Sequence, residues 1–174
     1  MEHASEKVNQ FMWPITAKKT IKAPAQDVWA TISTHGNLAN CHPFVAKSSV
    51  EIWPGVGAKD TAHYYSGWVI HREVTHWLEG VGYDLVVIKK DGGKTFVSWR
   101  ITEETQDLST LNITLYPDTL VNVPIPLRWI PHFLFLRPML KNYLESVVKG
   151  FDWFITTGTP VTKNQFGSHP WFSN

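Results

Sequence analysis

The chain has one cysteine in 174 residues, Cys41, so no intrachain disulfide can form and a reducing compartment suits it. No sequence signature of a catalytic thiol surrounds Cys41, which reads as a small buried hydrophobe. Charge bias is also missing. A net charge of +1 and no basic patch exclude an electrostatic reason to bind nucleic acid. With 18% charged and 43% hydrophobic residues, the chain is not disordered either. There is no phosphate-binding glycine-rich loop and no serine nucleophile motif. Met1 to Met12 lacks the basic start and apolar core of a signal peptide. The apolar stretch Leu120 to Leu140 is interrupted by Pro124, Pro126, Pro131 and Pro138, and by Arg128, His132 and Arg137, so no integral membrane span is expected. A cytoplasmic protein is the expectation. The eight histidines show no metal-ligand spacing, and His71 and His76 have opposite strand parity, so neither metal nor other cofactor is expected.

What the chain does have is aromatic mass: nine Trp, nine Phe and five Tyr. Such side chains cover much area with few rotatable bonds and suit apolar binding walls as well as cores. From Pro138 to Gly158 the spacing predicts one long amphipathic helix. Leu140, Tyr143, Leu144, Val147, Val148, Phe151, Phe154 and Ile155 recur every three or four residues and fill an arc of roughly 140°. Pro138 suits a first helical position, and Gly158 suits the residue past the end. At ~1.5 Å per residue the rod is ~30 Å long and needs a large apolar surface to lie on.

Strands precede it. Ile15 to Lys22 reads as the first, followed by a short helix over Ala25 to Ser33 and a second short helix or turn within Thr34 to Pro43. Six more strands are expected at 45–53, 58–66, 68–78, 83–90, 95–103 and 108–116, separated by turn residues such as Pro54-Gly55, Ser66-Gly67, Glu79-Gly80 and Asp91-Gly92-Gly93. Short links imply an antiparallel meander, and seven such strands twist and curl so that the long helix can fill the concave side. Val97, Trp99 and Ile101 share the buried face with Leu111, Ile113 and Leu115, while Ser98, Arg100, Asn112 and Thr114 take the solvated one. The expected fold class is α+β: a seven-stranded curved antiparallel sheet wrapped around a C-terminal helix, with two short helices after the first strand. The expected organisation is an extension over 1–12, one domain over 13–161 and a tail over 162–174.

This order of elements resembles the START-related helix-grip superfamily (SRPBCC), and within it the polyketide cyclase/dehydratase-like branch. The residues that carry the likeness are Ile21-Lys22-Ala23-Pro24 leading to Asp27-Val28-Trp29, Cys41-His42-Pro43 where relatives often show Trp-His-Pro, and Gly55-Val56-Gly57-Ala58. Glu73 in the fourth strand and Leu136-Arg137-Pro138 opening the long helix complete it. The resemblance spans about 15 to 161 and implies a cavity between sheet and helix that takes a small apolar or aromatic molecule, lipid-like or polyketide-like. Some members catalyse cyclisation, so the fold does not decide between carrier and enzyme. Relatives often carry Arg two residues after the Gly-x-Gly-Ala turn, where this chain has Lys59-Asp60; a carboxylate-bearing ligand is then less expected.

Chemistry is sought first in the third and fourth strands. With Ser66-Gly67 as a two-residue turn, Asp60 faces Glu73, Ala62 faces His71 and Tyr64 faces Val69, which groups Asp60, Tyr64, His71 and Glu73 on one face. Two carboxylates and an imidazole there could transfer protons, with Asp60, His71 and Glu73 as acid and base; an internal hydrogen-bonded cluster is the alternative. The alternate face, with Lys59, Thr61, His63, Tyr65, Ile70 and Arg72, reads as the more solvated one, and a three-residue turn would change the pairing and undo this grouping. His42 is a candidate ligand contact, with Tyr64, Tyr83, Leu85, Val97, Trp99, Tyr143, Val147 and Phe151 as further ligand-binding wall residues. Gly150, at the margin of the helix's buried face, leaves room for a ligand or for the sheet. Leu120 to Leu136 reads as a preformed cover in which Val123, Ile125 or Trp129 reaches the ligand; it could instead form a membrane-touching patch or a homodimer contact. The aromatic tail, with His169-Pro170-Trp171-Phe172, can pack back on the domain or meet a second copy.

Overall fold

The computed structural model describes residues 13–88, 93–117 and 123–173. Strand β1 (Ile15–Ile21) is followed by helices α1 (Ala25–Ser33) and α2 (Leu38–Cys41). Strands β2 (Val45–Ile52), β3 (Lys59–Tyr64), β4 (Val69–Leu78), β5 (Gly82–Ile88), β6 (Lys94–Thr105) and β7 (Leu108–Tyr116) come next, and then the long helix α3 (Arg137–Thr157). All neighbours are antiparallel in the order β1-β7-β6-β5-β4-β3-β2, so the meander from β2 to β7 is extended by β1 at the far edge. This is the expected helix-grip architecture. Residues 1–12, the Asp91-Gly92 turn and Leu120 to Asn122 of the apolar segment lie outside the described residues.

Strict alternation explains the sheet's faces. Along β7, Leu111, Ile113 and Leu115 are buried while Asn112 and Thr114 are less so, and Val97, Trp99 and Ile101 of β6 join them on the concave side. Helix α3 lays Leu140, Leu144, Val147, Val148 and Phe151 on this surface. It ends where Gly158 adopts a left-handed φ of 68° and donates its N–H to the Phe154 carbonyl at 2.8 Å.

Two expectations about α3 need correction. Helical structure begins before Pro138, in a turn at Trp129–Pro131 and a π-helical turn at His132–Leu136 that runs directly into α3. The wide turn, in which the Arg137 N–H reaches the His132 carbonyl, tolerates the missing Pro138 donor, so the proline does not break the path. Gly150 makes room for neither ligand nor sheet. A Cβ there would lie 2.1 Å from the Cys41 carbonyl oxygen and 3.1 Å from Pro43, so the glycine lets α3 rest against the end of α2.

Much of the tryptophan content clamps α1 onto one end of the sheet. Trp29 and Trp77 donate to the two carboxylate oxygens of Glu79, at 3.0 and 2.7 Å, and meet edge-on at 5.1 Å between ring centroids. Trp53 donates to the Ser33 carbonyl. The tail packs back on the domain: Val161 N–H bonds the Asn40 carbonyl, Asn164 N–H bonds the Pro43 carbonyl, and His169 and Phe172 are buried.

Candidate functional site

Residues of the sheet and of α3 enclose a cavity of about 290 Å³. A space of this size is at the small end of ligand pockets. The walls are mostly apolar, with Leu85 and Val87 from β5, Val97 and Trp99 from β6, and Leu140, Leu144 and Val147 from α3. Leu136, just before α3, and Trp171 and Phe172 of the tail complete them.

The polar groups on the lining are few. His42 ends α2, where the chain turns into β2, and is 4% exposed. Its Nδ1 accepts the Phe44 N–H at 3.2 Å, and its Nε2 lies 3.0 Å from the Tyr143 hydroxyl. Tyr143 in turn lies 2.7 Å from the Tyr64 hydroxyl. Burial, helped by the nearby Arg72 charge, pushes the His42 pKa down to about 3, so the ring is neutral at physiological pH. Burial likewise raises the Tyr64 phenol, and it holds Tyr143 well above its ordinary value, so both stay protonated. Arg72 of β4 also lines the cavity and grips Asp60 of β3 with two hydrogen bonds, Nε to Oδ1 at 2.7 Å and Nη2 to Oδ2. Thr95 adds a hydroxyl.

The proposed grouping on β3 and β4 is out of register by one residue. Asp60 pairs with Arg72, Thr61 with His71, Ala62 with Ile70, and Lys59 with Glu73. The cause is the turn. Tyr64 N–H bonds the Trp68 carbonyl across three residues, Tyr65-Ser66-Gly67, with Gly67 at φ 85°. A one-residue slip moves every side chain to the other face. Asp60, Tyr64 and Arg72 therefore share the inner side. His71 is exposed and bonds Thr61, and Glu73 pairs with Lys59 at 3.8 Å on the outer side. Asp60, His71 and Glu73 do not converge, and none of the three lines the cavity.

Among the other candidates, His42, Tyr64, Leu85, Val97, Trp99, Tyr143 and Val147 are on the cavity wall. Tyr83 and Phe151 are buried beside it, lining a much smaller crevice with Asp60, Arg72 and Trp53. Trp129 is 53% exposed and lies off the wall, as does Val123. Of that segment Leu136 does reach the wall, beside Pro117 and the tail residues Trp171 and Phe172. Burial pushes the Cys41 thiol up, which suits a packed, unreactive side chain.

Sequence comparison matches residues 12–151 to the family described as polyketide cyclase/dehydrase and lipid transport. The chain belongs to this family. Solved structures share its START-like helix-grip fold at low identity. DynU16, a protein in the dynemicin biosynthetic locus, is 15% identical with a TM-score of 0.65 over 87% of this chain and 51% of its own. This chain thus spans about half the length of DynU16. A START superfamily protein from Mycobacterium smegmatis is 13% identical with a TM-score of 0.64, covering 84% of this chain and 99% of its own. Truncated norcoclaurine synthase from Thalictrum flavum is 13% identical with a TM-score of 0.58, covering 83% and 94%. No curated protein matches the sequence. Ligand binding in general is the role this family and fold support, and no helix among the described residues is long and apolar enough to cross a membrane.

Proposed function

We propose that this protein binds a small apolar or aromatic molecule, lipid-like or polyketide-like, in the cavity between its sheet and α3. The observation that carries this is a space of about 290 Å³ with an almost wholly apolar wall and one clustered polar end at His42, Tyr64, Tyr143 and Arg72. An apolar wall supplies affinity, and a few placed polar groups fix orientation. A cyclase/dehydratase-type enzyme is the alternative, but the acid–base set it needs, Asp60, His71 and Glu73, is split between two faces of the sheet. A cytoplasmic setting, in which the lone thiol of Cys41 stays reduced, is part of the same proposal. Native mass spectrometry of the purified chain should reveal a co-purifying apolar compound, or a lipid-analogue dye should bind with 1:1 saturation. Finding neither would defeat the proposal.

A second reading rests on the segment before α3. Leu127, Trp129, Phe133, Leu134 and Phe135 are all exposed, Phe135 by 66%. Neighbouring apolar residues of this size seldom face water on a monomer, and a second copy of the chain would cover them. Phe172 of the tail is buried within its own chain, so its ring is not offered to such a contact. Analytical ultracentrifugation should show a dimer that Phe135→Glu dissociates; a monomer at all concentrations would remove this reading.

A further inference from the structure

Hydrogen-bond counting at the polar end of the cavity leaves one proton without a partner. His42 Nδ1 is fixed as an acceptor by the Phe44 N–H, so the neutral ring carries its proton on Nε2. That N–H donates to the Tyr143 hydroxyl at 3.0 Å. The Tyr143 and Tyr64 hydroxyls, 2.7 Å apart, share a single hydrogen bond and so use one of their two phenolic protons, whichever ring donates. The other proton has no protein acceptor among the described residues, and both rings line the cavity. Trp99, also on the wall and 4% exposed, has an indole N–H that is equally unpartnered. No Asp, Glu, Asn or Gln lines the cavity, so acceptors are scarce where donors are left over.

We infer that the cavity selects ligands that present a neutral hydrogen-bond acceptor, a ketone, quinone or ester carbonyl, to the Tyr64–Tyr143 pair, and disfavours ligands of the same shape that must donate. This rests on the proposed binding function and narrows it. A carboxylate is the poorer acceptor here despite its charge. The Arg72 cation is already matched by Asp60, so a ligand anion would enter an apolar space without a counter-charge.

The test compares three tricyclic probes of nearly equal shape: 9-fluorenone, which only accepts, 9-fluorenol, which also donates, and fluorene, which does neither. Fluorenone should bind the full chain about tenfold tighter than fluorene, the scale of one buried donor satisfied or left bare. Fluorenol should fall below fluorenone, because its own proton has only hydroxyl oxygens such as that of Thr95 to compete for, and no carboxylate or side-chain amide oxygen lines the cavity. The infrared carbonyl band of bound fluorenone should move to lower wavenumber than in cyclohexane. Tyr64→Phe should keep the preference, since the spare proton then resides on Tyr143. Tyr64→Phe/Tyr143→Phe removes both phenolic donors and should cost most of it, with the band returning towards its cyclohexane position; the Trp99 indole and the His42 imidazole remain on the wall in every variant and so serve as the constant background. Equal affinities for all three probes, or an unshifted band in the wild-type chain, would overturn the inference while leaving apolar binding intact. Failure of all three probes and of a lipid-analogue dye to bind would remove the binding function itself.

Discussion

Asp60 and Arg72 face each other across β3 and β4 and form a two-pronged pair whose side chains are 5% and 12% exposed. Both groups have left water, so each depends on the other to offset its desolvation. Asp60→Ala should therefore destabilise the chain by about 3–5 kcal/mol, because it leaves a guanidinium buried without a counter-charge. Replacing both, as Asp60→Leu/Arg72→Leu, should recover much of that loss. Urea unfolding of the three variants decides it; a double variant as unstable as the single one would mean the pair adds more than mutual compensation.

Gly150→Ala offers a second measurement with opposing terms. In a helix interior Ala is favoured over Gly by about 1 kcal/mol. Here the new methyl would meet the Cys41 carbonyl at 2.1 Å, a backbone atom that cannot swing aside. Overpacking of about 1–3 kcal/mol should win, lowering the melting temperature. An unchanged or raised melting temperature would show that α2 moves freely away from α3.

The pattern of what the sequence reveals follows from these cases. Strands β6 and β7 alternate cleanly between apolar and polar, so Trp99 and Ile113 could be assigned to the inner face from spacing alone. Strands β3 and β4 carry polar residues on both faces, including Asp60 and Arg72 inside and His71 and Glu73 outside. Hydrophobic pattern then cannot set the register, and it depends on whether the turn at Ser66-Gly67 has two residues or three. Gly67 was the available signal, since a glycine at the last position of the turn suits the longer loop. Helix α3 was legible from periodicity, and its π-helical lead-in was not, because Pro131 and Pro138 normally mark breaks. Phe172 and Trp171 reach the cavity through long-range packing in an irregular tail, where no period exists to read.

Stability should also depend on pH through His42. Its pKa lies near 6.5 in an unfolded chain and at about 3 in the fold, so between these values the unfolded state binds the extra proton. The folded state therefore loses ground as pH falls below about 6.5, by up to ~1.4 kcal/mol per pH unit until pH nears the folded value. His42→Gln keeps a donor for Tyr143 and removes the titration. Comparing denaturation midpoints at pH 7 and pH 5, wild type should lose more than His42→Gln does; parallel losses would place the imidazole in water.

The wall residues make a last comparison, between two tryptophans. Trp129 stands in the segment that reads from sequence as a cover, yet it is 53% exposed and off the cavity wall. Trp171 comes from the tail, is half-buried and lines the cavity, edge-on to Phe172. Trp129→Ala should leave both stability and dye affinity within ~0.5 kcal/mol of wild type, as surface substitutions do. Trp171→Ala removes part of the wall and lets water in beside Phe172, so dye affinity should fall about tenfold, equivalent to ~1.4 kcal/mol. Its effect on stability should be smaller than that of Phe172→Ala, whose buried ring packs against Tyr143 at 4.5 Å between centroids. Fluorescence titration of a lipid-analogue dye beside thermal melts separates the outcomes. If Trp129→Ala weakens the dye and Trp171→Ala does not, ligand access is governed by the segment before α3 and the tail is only packing.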